Sequence, residues 1–161
     1  MQRLTEKEYY SLEATTLFSE KDNRCNNCFG FITIGEHNYK FSWNSNLIEP
    51  TIELLDSNIY GIGIDQHFCL LNSNNGVFNC WDLDTPFLYM IVYERYVIVI
   101  CETNILLINL DISKIEKEYM FIEIISDVRL ENRFMRITFI NDSELDISID
   151  DNNNPFVKLL N

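Results

Sequence analysis

Apolar residues in this chain fall in short runs broken by two to five polar residues, and the densest of these stretches lies between Phe87 and Asp111. Three runs, Phe87–Tyr93, Tyr96–Cys101 and Ile105–Leu110, are separated only by Glu94-Arg95 and by Glu102-Thr103-Asn104. Runs of this length, rich in Ile, Val, Leu, Tyr and Phe, predict strands rather than helices. Gaps of two or three polar residues suit hairpin loops, so the stretch predicts a three-strand antiparallel meander. Apolarity that scarcely alternates predicts strands covered on both faces, and the rest of the chain must then wrap them.

The same grammar extends to either side. Thr5-Glu6-Lys7-Glu8 fits a capping box, which predicts a short N-terminal helix, and Thr15–Phe18 predicts a strand after it. Ser19–Asn27 reads as a loop. Phe29–Ile34 and Tyr39–Trp43 form a hairpin across Gly35–Asn38, with Tyr39, Phe41 and Trp43 on one face. Asn44–Asp56, which contains Pro50, predicts a connection with one short strand. Gly61 and Gly63 within Ile59–Ile64 point to a bulge or a close backbone approach. His67–Leu71 and Val77–Trp81 are joined by Asn72–Gly76, whose Asn-Gly suits a hairpin loop. Ile115–Ile125 predicts a helical turn followed by a strand over Tyr119–Ile125. Phe134–Ile140 and Leu145–Ile149 form the last hairpin, with Leu145, Ile147 and Ile149 on a core face and Asp146, Ser148 and Asp150 on an acidic one. Asp151–Pro155 then breaks the pattern before a short tail.

About ten strands with one short helix predict a single all-β domain over residues 1–161, an antiparallel meander closed as a sandwich or a partly open barrel. A faint repeat offers an alternative. Asp65-Gln66-His67-Phe68, Glu94-Arg95-Tyr96-Val97 and Glu131-Asn132-Arg133-Phe134 each open a hairpin, and their starts lie 29 and 37 residues apart. A small propeller-like assembly of hairpin repeats would produce such spacing, although the irregular period and a lone Trp81-Asp82 pair weaken it.

Composition narrows function mainly by exclusion. Hydrophobic residues at 47% and aromatics at 13% exclude a disordered chain. No apolar run reaches the roughly 18 to 20 residues of a membrane span, and MQRLTEKEYY lacks the pattern of a secretory signal, so a cytoplasmic location is expected. A net charge of −13 repels nucleic-acid phosphates and anionic lipids, which leaves a basic protein as the expected partner. Five cysteines without an export signal predict no disulfide framework. Cys69, Cys80 and Cys101 read as small buried hydrophobes, and Cys25 and Cys28 as two loop thiols.

Catalytic patterns are absent. Of two histidines, His37 falls in a hairpin loop and His67 at a strand start, and neither accompanies a nucleophile elbow. Gly61-Ile62-Gly63 lacks the third glycine and the helix of a dinucleotide fingerprint. Cys25 and Cys28 have zinc spacing but no second half-site, which leaves a metal-binding enzyme as the least favoured reading, and no cofactor is expected. The cluster Asp142, Glu144, Asp146, Asp150 and Asp151 lacks the glycine of a calcium loop. The reading is a non-catalytic protein with an acidic face and with Tyr9, Tyr10, Tyr93, Tyr96 and Tyr119 as candidates for exposure.

In size, charge, Asn/Ile-rich and Gly-poor composition, and lack of catalytic motifs, the chain resembles the small acidic immunity proteins of bacterial toxin–immunity systems. That resemblance implies an inhibitor that covers the active site of one basic toxin, such as a nuclease. The expected binding face is Glu116, Glu118, Tyr119, Asp142, Glu144, Asp146, Asp150 and Asp151. The alternative is a structural or self-assembling β-domain.

Overall fold

The computed structural model describes residues 1–19, 28–44, 46–131 and 134–149, together with the backbone of 157–160. Sixteen strands and one helix occur among them, divided into four separate four-stranded sheets. The first contains β1 (Gln2–Leu4), β2 (Thr15–Thr16), β3 (Cys28–Ile34) and β4 (His37–Trp43), in the order β1-β3-β4-β2. The second runs β5 (Thr51–Asp56), β6 (Ile59–Ile64), β7 (His67–Asn72) and β8 (Phe78–Asp82). The third runs β9 (Phe87–Tyr93), β10 (Tyr96–Cys101), β11 (Asn104–Asn109) and β12 (Lys114–Met120). The fourth runs β13 (Ile125–Glu131), β14 (Phe134–Phe139), β15 (Glu144–Ser148) and β16 (Val157–Leu160). All pairings are antiparallel except that of β2 with β4.

Three apolar layers glue the four sheets face to face. The first layer joins Tyr39, Phe41 and Trp43 of the first sheet to Ile62, Ile64, Cys69 and Leu71 of the second. Phe68 and Leu70 of β7 point the other way and meet Val97, Val99, Leu106 and Ile108 of the third sheet. Ile98, Ile100, Ile105 and Leu107 fill the layer against Val128, Met135, Ile137 and Ile147 of the fourth. The near-continuous apolarity of β10 and β11 therefore has a simple cause: odd and even residues serve two different cores. The expected covering of both faces is what the structure contains.

The sandwich or barrel is corrected by this arrangement. The first and fourth sheets share none of the three layers, so the stack is open. It agrees with the alternative built from hairpin repeats. The first strands of the last three sheets begin at Thr51, Phe87 and Ile125, 36 and then 38 residues apart. The turn at Asp65 joins the second and third strands of its sheet, whereas that at Glu94 joins the first and second of the next. Comparing those two turns produced the irregular spacing.

The stack's two outer faces are covered differently. The capping box of Thr5 and Glu8 starts α1 (Glu6–Ser11), as expected, and places Tyr9 against Phe29 of β3 with ring centroids 4.8 Å apart. Lys40 Nζ donates to the carbonyls of Tyr9 (3.0 Å) and Leu12 (2.8 Å), which ties the helix end to β4. On the fourth sheet, Arg129 pairs with Asp127 and Arg136 with Asp146, so charged side chains face solvent.

Several local expectations are corrected. Lys114–Met120 is a strand throughout, with no helical turn, and residues 121–124 are a connector. The tail is a strand paired with β15. Cys28 opens β3, buried opposite Trp43, instead of lying in a loop; Cys25 falls outside the described residues. Cys69 and Cys80, expected as separate buried hydrophobes, are a disulfide across β7 and β8. The β7–β8 register pairs His67 with Asp82 and Leu71 with Phe78, which sets these two cysteines directly opposite. Cys101 remains a buried thiol, and burial pushes its pKa up to about 12.

Gly61 and Gly63 mark a close approach of two sheets. A Cβ at position 63 would lie 2.4 to 2.6 Å from the Phe87 ring, and one at 61 would meet Met90 Sδ at 2.7 Å. Gly63→Ala should therefore force Phe87 out of its place and destabilise the fold by about 1 to 3 kcal/mol. Urea unfolding measures this, and an unchanged midpoint would contradict the packing. For the disulfide, digestion under non-reducing conditions should release the Cys69 and Cys80 peptides linked. Reduction should lower the melting temperature, since closing a loop of about a dozen residues contributes about 2 to 3 kcal/mol.

Candidate interaction surface

The acids expected to form one binding face divide between two sheets, and several are occupied within the fold. Glu116 Oε1 accepts from Asn109 Nδ2 at 2.7 Å, and its Oε2 accepts from the Tyr96 hydroxyl at 2.8 Å. These bonds, that from Asn109 foremost, hold the Glu116 carboxyl below the usual carboxylate range. Glu118 Oε1 accepts from Asn104 Nδ2 at 3.0 Å, while Asn104 Oδ1 accepts from Thr85 Oγ1 at 2.7 Å. Asn104 and Asn109, at the two ends of β11, are buried. Buried amides need partners, so these two glutamates complete the third sheet.

Tyr119 is half-buried in the layer between the third and fourth sheets, and burial raises its pKa. Its hydroxyl meets no partner among the described residues. On the fourth sheet, Asp146 binds Arg136 through two bonds of 2.9 Å, and Glu144 lies 4.0 Å from the same guanidinium. That carboxylate pair, with Glu131, raises the Arg136 pKa above its ordinary value. Asp142 sits in the β14–β15 turn at φ 63°. Asp150 and Asp151 lie outside the described residues. Of the tyrosines expected at the surface, Tyr10 is exposed, Tyr9 is buried, and Tyr93, Tyr96 and Tyr119 are half-buried.

The arrangement brings other residues together. The described parts of the sheet-to-sheet connectors, residues 44, 46–50, 83–86 and 121–124, lie at the same end of the stack as the turns 65–66, 102–103 and 140–143. Hydrogen bonds join them in series. Asn44 N–H donates to Asp65 Oδ2 (2.8 Å), Leu83 N–H to Gln66 O (2.8 Å) and Glu102 N–H to Pro86 O (2.9 Å). Phe121 N–H donates to Thr103 O (2.8 Å) and Ile140 N–H to Ile124 O (3.0 Å). This rim carries Glu49, Asp65, Asp84, Glu102, Glu123 and Asp142, and its connectors and turns contain no Lys or Arg. Arg3 of β1 reaches it from the side and pairs with Glu49 at 2.6 Å.

Large apolar side chains are exposed on the same rim: Leu47 at 92%, Ile122 at 99%, Ile140 at 60% and Ile48 at 53%. Ile124 joins them beside Ile140. None of these was picked out from the sequence. The alternation Ile122-Glu123-Ile124 resembles the continuation of a strand, and only the end of β12 at Met120 shows that it is a connector. Among the described residues no group of His, Cys, Asp and Glu is arranged to hold a metal ion, and no helix is long and apolar enough to cross a membrane.

No protein-family model matches the chain, and no curated protein matches it. Solved structures do. The β-propeller domain of Cps50 (Swd1) from Myceliophteria thermophila is similar over 70% of this chain and 37% of its own, with 11% identity and a TM-score of 0.55. The N-terminal domain of Nup159 is similar over 92% of this chain and 44% of its own, with 10% identity and a TM-score of 0.50. This chain thus spans less than half the length of either. The likeness is one of fold: four consecutive sheets stacked as propeller blades are stacked. It overturns the immunity-protein reading, which rested on charge and composition. The all-β chain is similar to propeller domains and not to a toxin inhibitor, and the acids assigned to that inhibitory face are partly structural.

Proposed function

We propose that the chain is a non-catalytic β scaffold that binds a protein partner through the rim of connectors at one end of its blade stack. The observation that carries this reading is the exposure of Ile122, Ile140, Leu47 and Ile48 among carboxylates on one continuous hydrogen-bonded surface. Exposed apolar side chains ringed by polar groups are the usual mark of a contact surface. Their acidic surroundings favour a partner segment that presents apolar side chains flanked by Lys or Arg. The opposite end is mixed in charge, since its turns and strand ends include Arg95 and Lys114 beside Glu36, Asp56, Glu94 and Asp111. Blade stacks suit such a role because the cores lie between sheets and leave the connectors open to sequence change.

Comparative capture tests the proposal. The wild-type chain should retain a partner that a variant carrying Ile122→Asp and Ile140→Asp loses by tenfold or more, which corresponds to about 1.4 kcal/mol or above. Both side chains are exposed, so the variant's melting temperature should stay close to the wild type's. Asp84→Lys with Glu123→Lys should slow association and flatten its dependence on salt. Retention unaffected by the rim variants, but lost on Arg95→Glu with Lys114→Glu, would move the surface to the other end and sink the proposal. Sedimentation of the purified chain shows whether a second copy is the partner.

A further inference from the structure

The Cys69–Cys80 disulfide stands where a change at sulfur would be felt by one strand more than the other. Strand β7 is held on both sides, by β6 along all six of its residues and by β8 from His67–Asp82 to Leu71–Phe78. Strand β8 ends the sheet and, among the described residues, pairs with β7 alone. Asn72 N–H donates to Val77 O, and hydrogen-bonded rungs alternate along an antiparallel pair. Leu70 with Asn79 and Phe68 with Trp81 are therefore the hydrogen-bonded pairs. Cys69 and Cys80 lie between those rungs as a non-hydrogen-bonded pair, so the S–S bond is the direct tie between the two residues.

Both cysteines face the apolar layer between the first and second sheets. Cys69 is fully buried there, whereas Cys80 and Phe78 pack against the layer and are half-buried. The same half of β8 carries the second sheet's contact with the β3–β4 hairpin. Phe78 meets the Tyr39 ring edge-on, with centroids 6.1 Å apart, and the Tyr39 hydroxyl donates to Gly76 O at 3.2 Å. Gly76 lies so close to His37 that a Cβ there would come within 2.7 Å of the imidazole. Two unbonded thiols need more room than a bonded pair, and a close-packed layer around Cys69 has none to give. With β7 pinned between two neighbours, the edge strand must yield.

We propose that this disulfide is a redox switch of the folded protein: a dithiol reductant opens it, and the first half of β8 with the β7–β8 loop then parts from the first sheet. The reductant's thiolate attacks the half-buried Cys80 sulfur, forming a mixed disulfide there and expelling Cys69, which takes up a proton. The reductant's second thiol then displaces Cys80 and leaves as its own disulfide, so two electrons and two protons pass to the chain. Oxidation reverses the step. The fold outlives the change because the second half of β8 keeps its own anchors. These are the Phe68–Trp81 rung, the stack of those two rings at 6.2 Å, and the bond from Leu83 N–H to Gln66 O. The other thiols among the described residues, Cys28 and Cys101, are buried, and burial pushes the Cys101 pKa up to about 12, which makes it a poor nucleophile. The switch works at the end of the blade opposite the connector rim and does not depend on what the rim binds.

Amide hydrogen exchange on the full chain, purified without reductant and compared before and after dithiothreitol, tests the proposal. The dithiol should reduce the pair while the far-ultraviolet circular dichroism stays that of the folded chain. Exchange at Asn79, whose N–H belongs to the first rung of β8, should quicken about tenfold or more, while β6 and β10 keep their protection. Oxidised glutathione in place of dithiothreitol should restore the slow exchange. The variant Cys69→Ala with Cys80→Ala should exchange fast at Asn79 with no reductant present; if it fails to fold, the reduced wild type decides alone. Two thiols at these positions in the protein as purified, or a bond that yields to the dithiol only when the chain is denatured, overturns the proposal. Reduction that leaves exchange at Asn79 unchanged, or that unfolds the whole chain, overturns it as well.

Discussion

Everything in this fold depends on strands whose two faces are committed to two different cores. In β10, Val97, Val99 and Cys101 face the second sheet while Ile98 and Ile100 face the fourth. In β11 the parity is kept, with Leu106 and Ile108 on one side and Ile105 and Leu107 on the other. A slip of one residue in the β10–β11 register would exchange the two sets. Both sets are apolar, so polarity alone would not resist that exchange; shape and the ends of the strand must. Asn104 and Asn109 supply the ends. Each is buried and donates to a carboxylate of β12, which pins β11 to β12, and the Tyr96 hydroxyl of β10 donates to the same Glu116 that Asn109 holds, a link that a β10–β11 slip would break. The acids of β12 are thus part of what holds the strand order.

Close sheet packing explains the glycines by the same reasoning. Phe87 and Met90 of β9 lie over Gly63 and Gly61 of β6, where any side chain would hold the sheets apart. An edge strand can cross its neighbour's second strand only where that strand is bare. The close backbone approach was legible from two glycines spaced by one residue, which puts both on one face. The identity of what approaches was not, because Phe87 is 24 residues further along the chain than Gly63.

Local grammar was legible wherever a single hairpin decides it. The capping box at Thr5, the hairpin at Gly35, the meander after Phe87 and the alternation of Leu145, Ile147 and Ile149 all stand in the structure. What failed was the step from hairpins to architecture. A sandwich and a stack of blades use the same strands and turns, and differ in which sheets pair and which merely stack. The disulfide lay between these levels. With Asn72–Gly76 as the loop, the hairpin would set Cys69 opposite Asn79; the observed register, Leu71 with Phe78, is one residue further on and brings it opposite Cys80.

Charge misled more than pattern did. A net charge of −13 is a property of the whole chain, whereas recognition depends on where the charges stand and what they already touch. Glu116 and Glu118 satisfy buried amides, and Asp146 neutralises Arg136 on the solvent face of the last sheet. Among the acids on the connectors, Glu49 pairs with Arg3 and Asp65 accepts from Asn44, but turns leave the sheet ladders, so these side chains complete no buried layer. The segments that join sheets bear the exposed isoleucines as well, with Ile122 at the extreme. In a stack whose interior is fixed on both faces of its inner sheets, surface that is free to specialise is confined to the two outer faces, the strand edges and these ends. Helix α1 covers one outer face and ion pairs cover the other. Of these, the connector rim is where exposed isoleucines and carboxylates stand side by side.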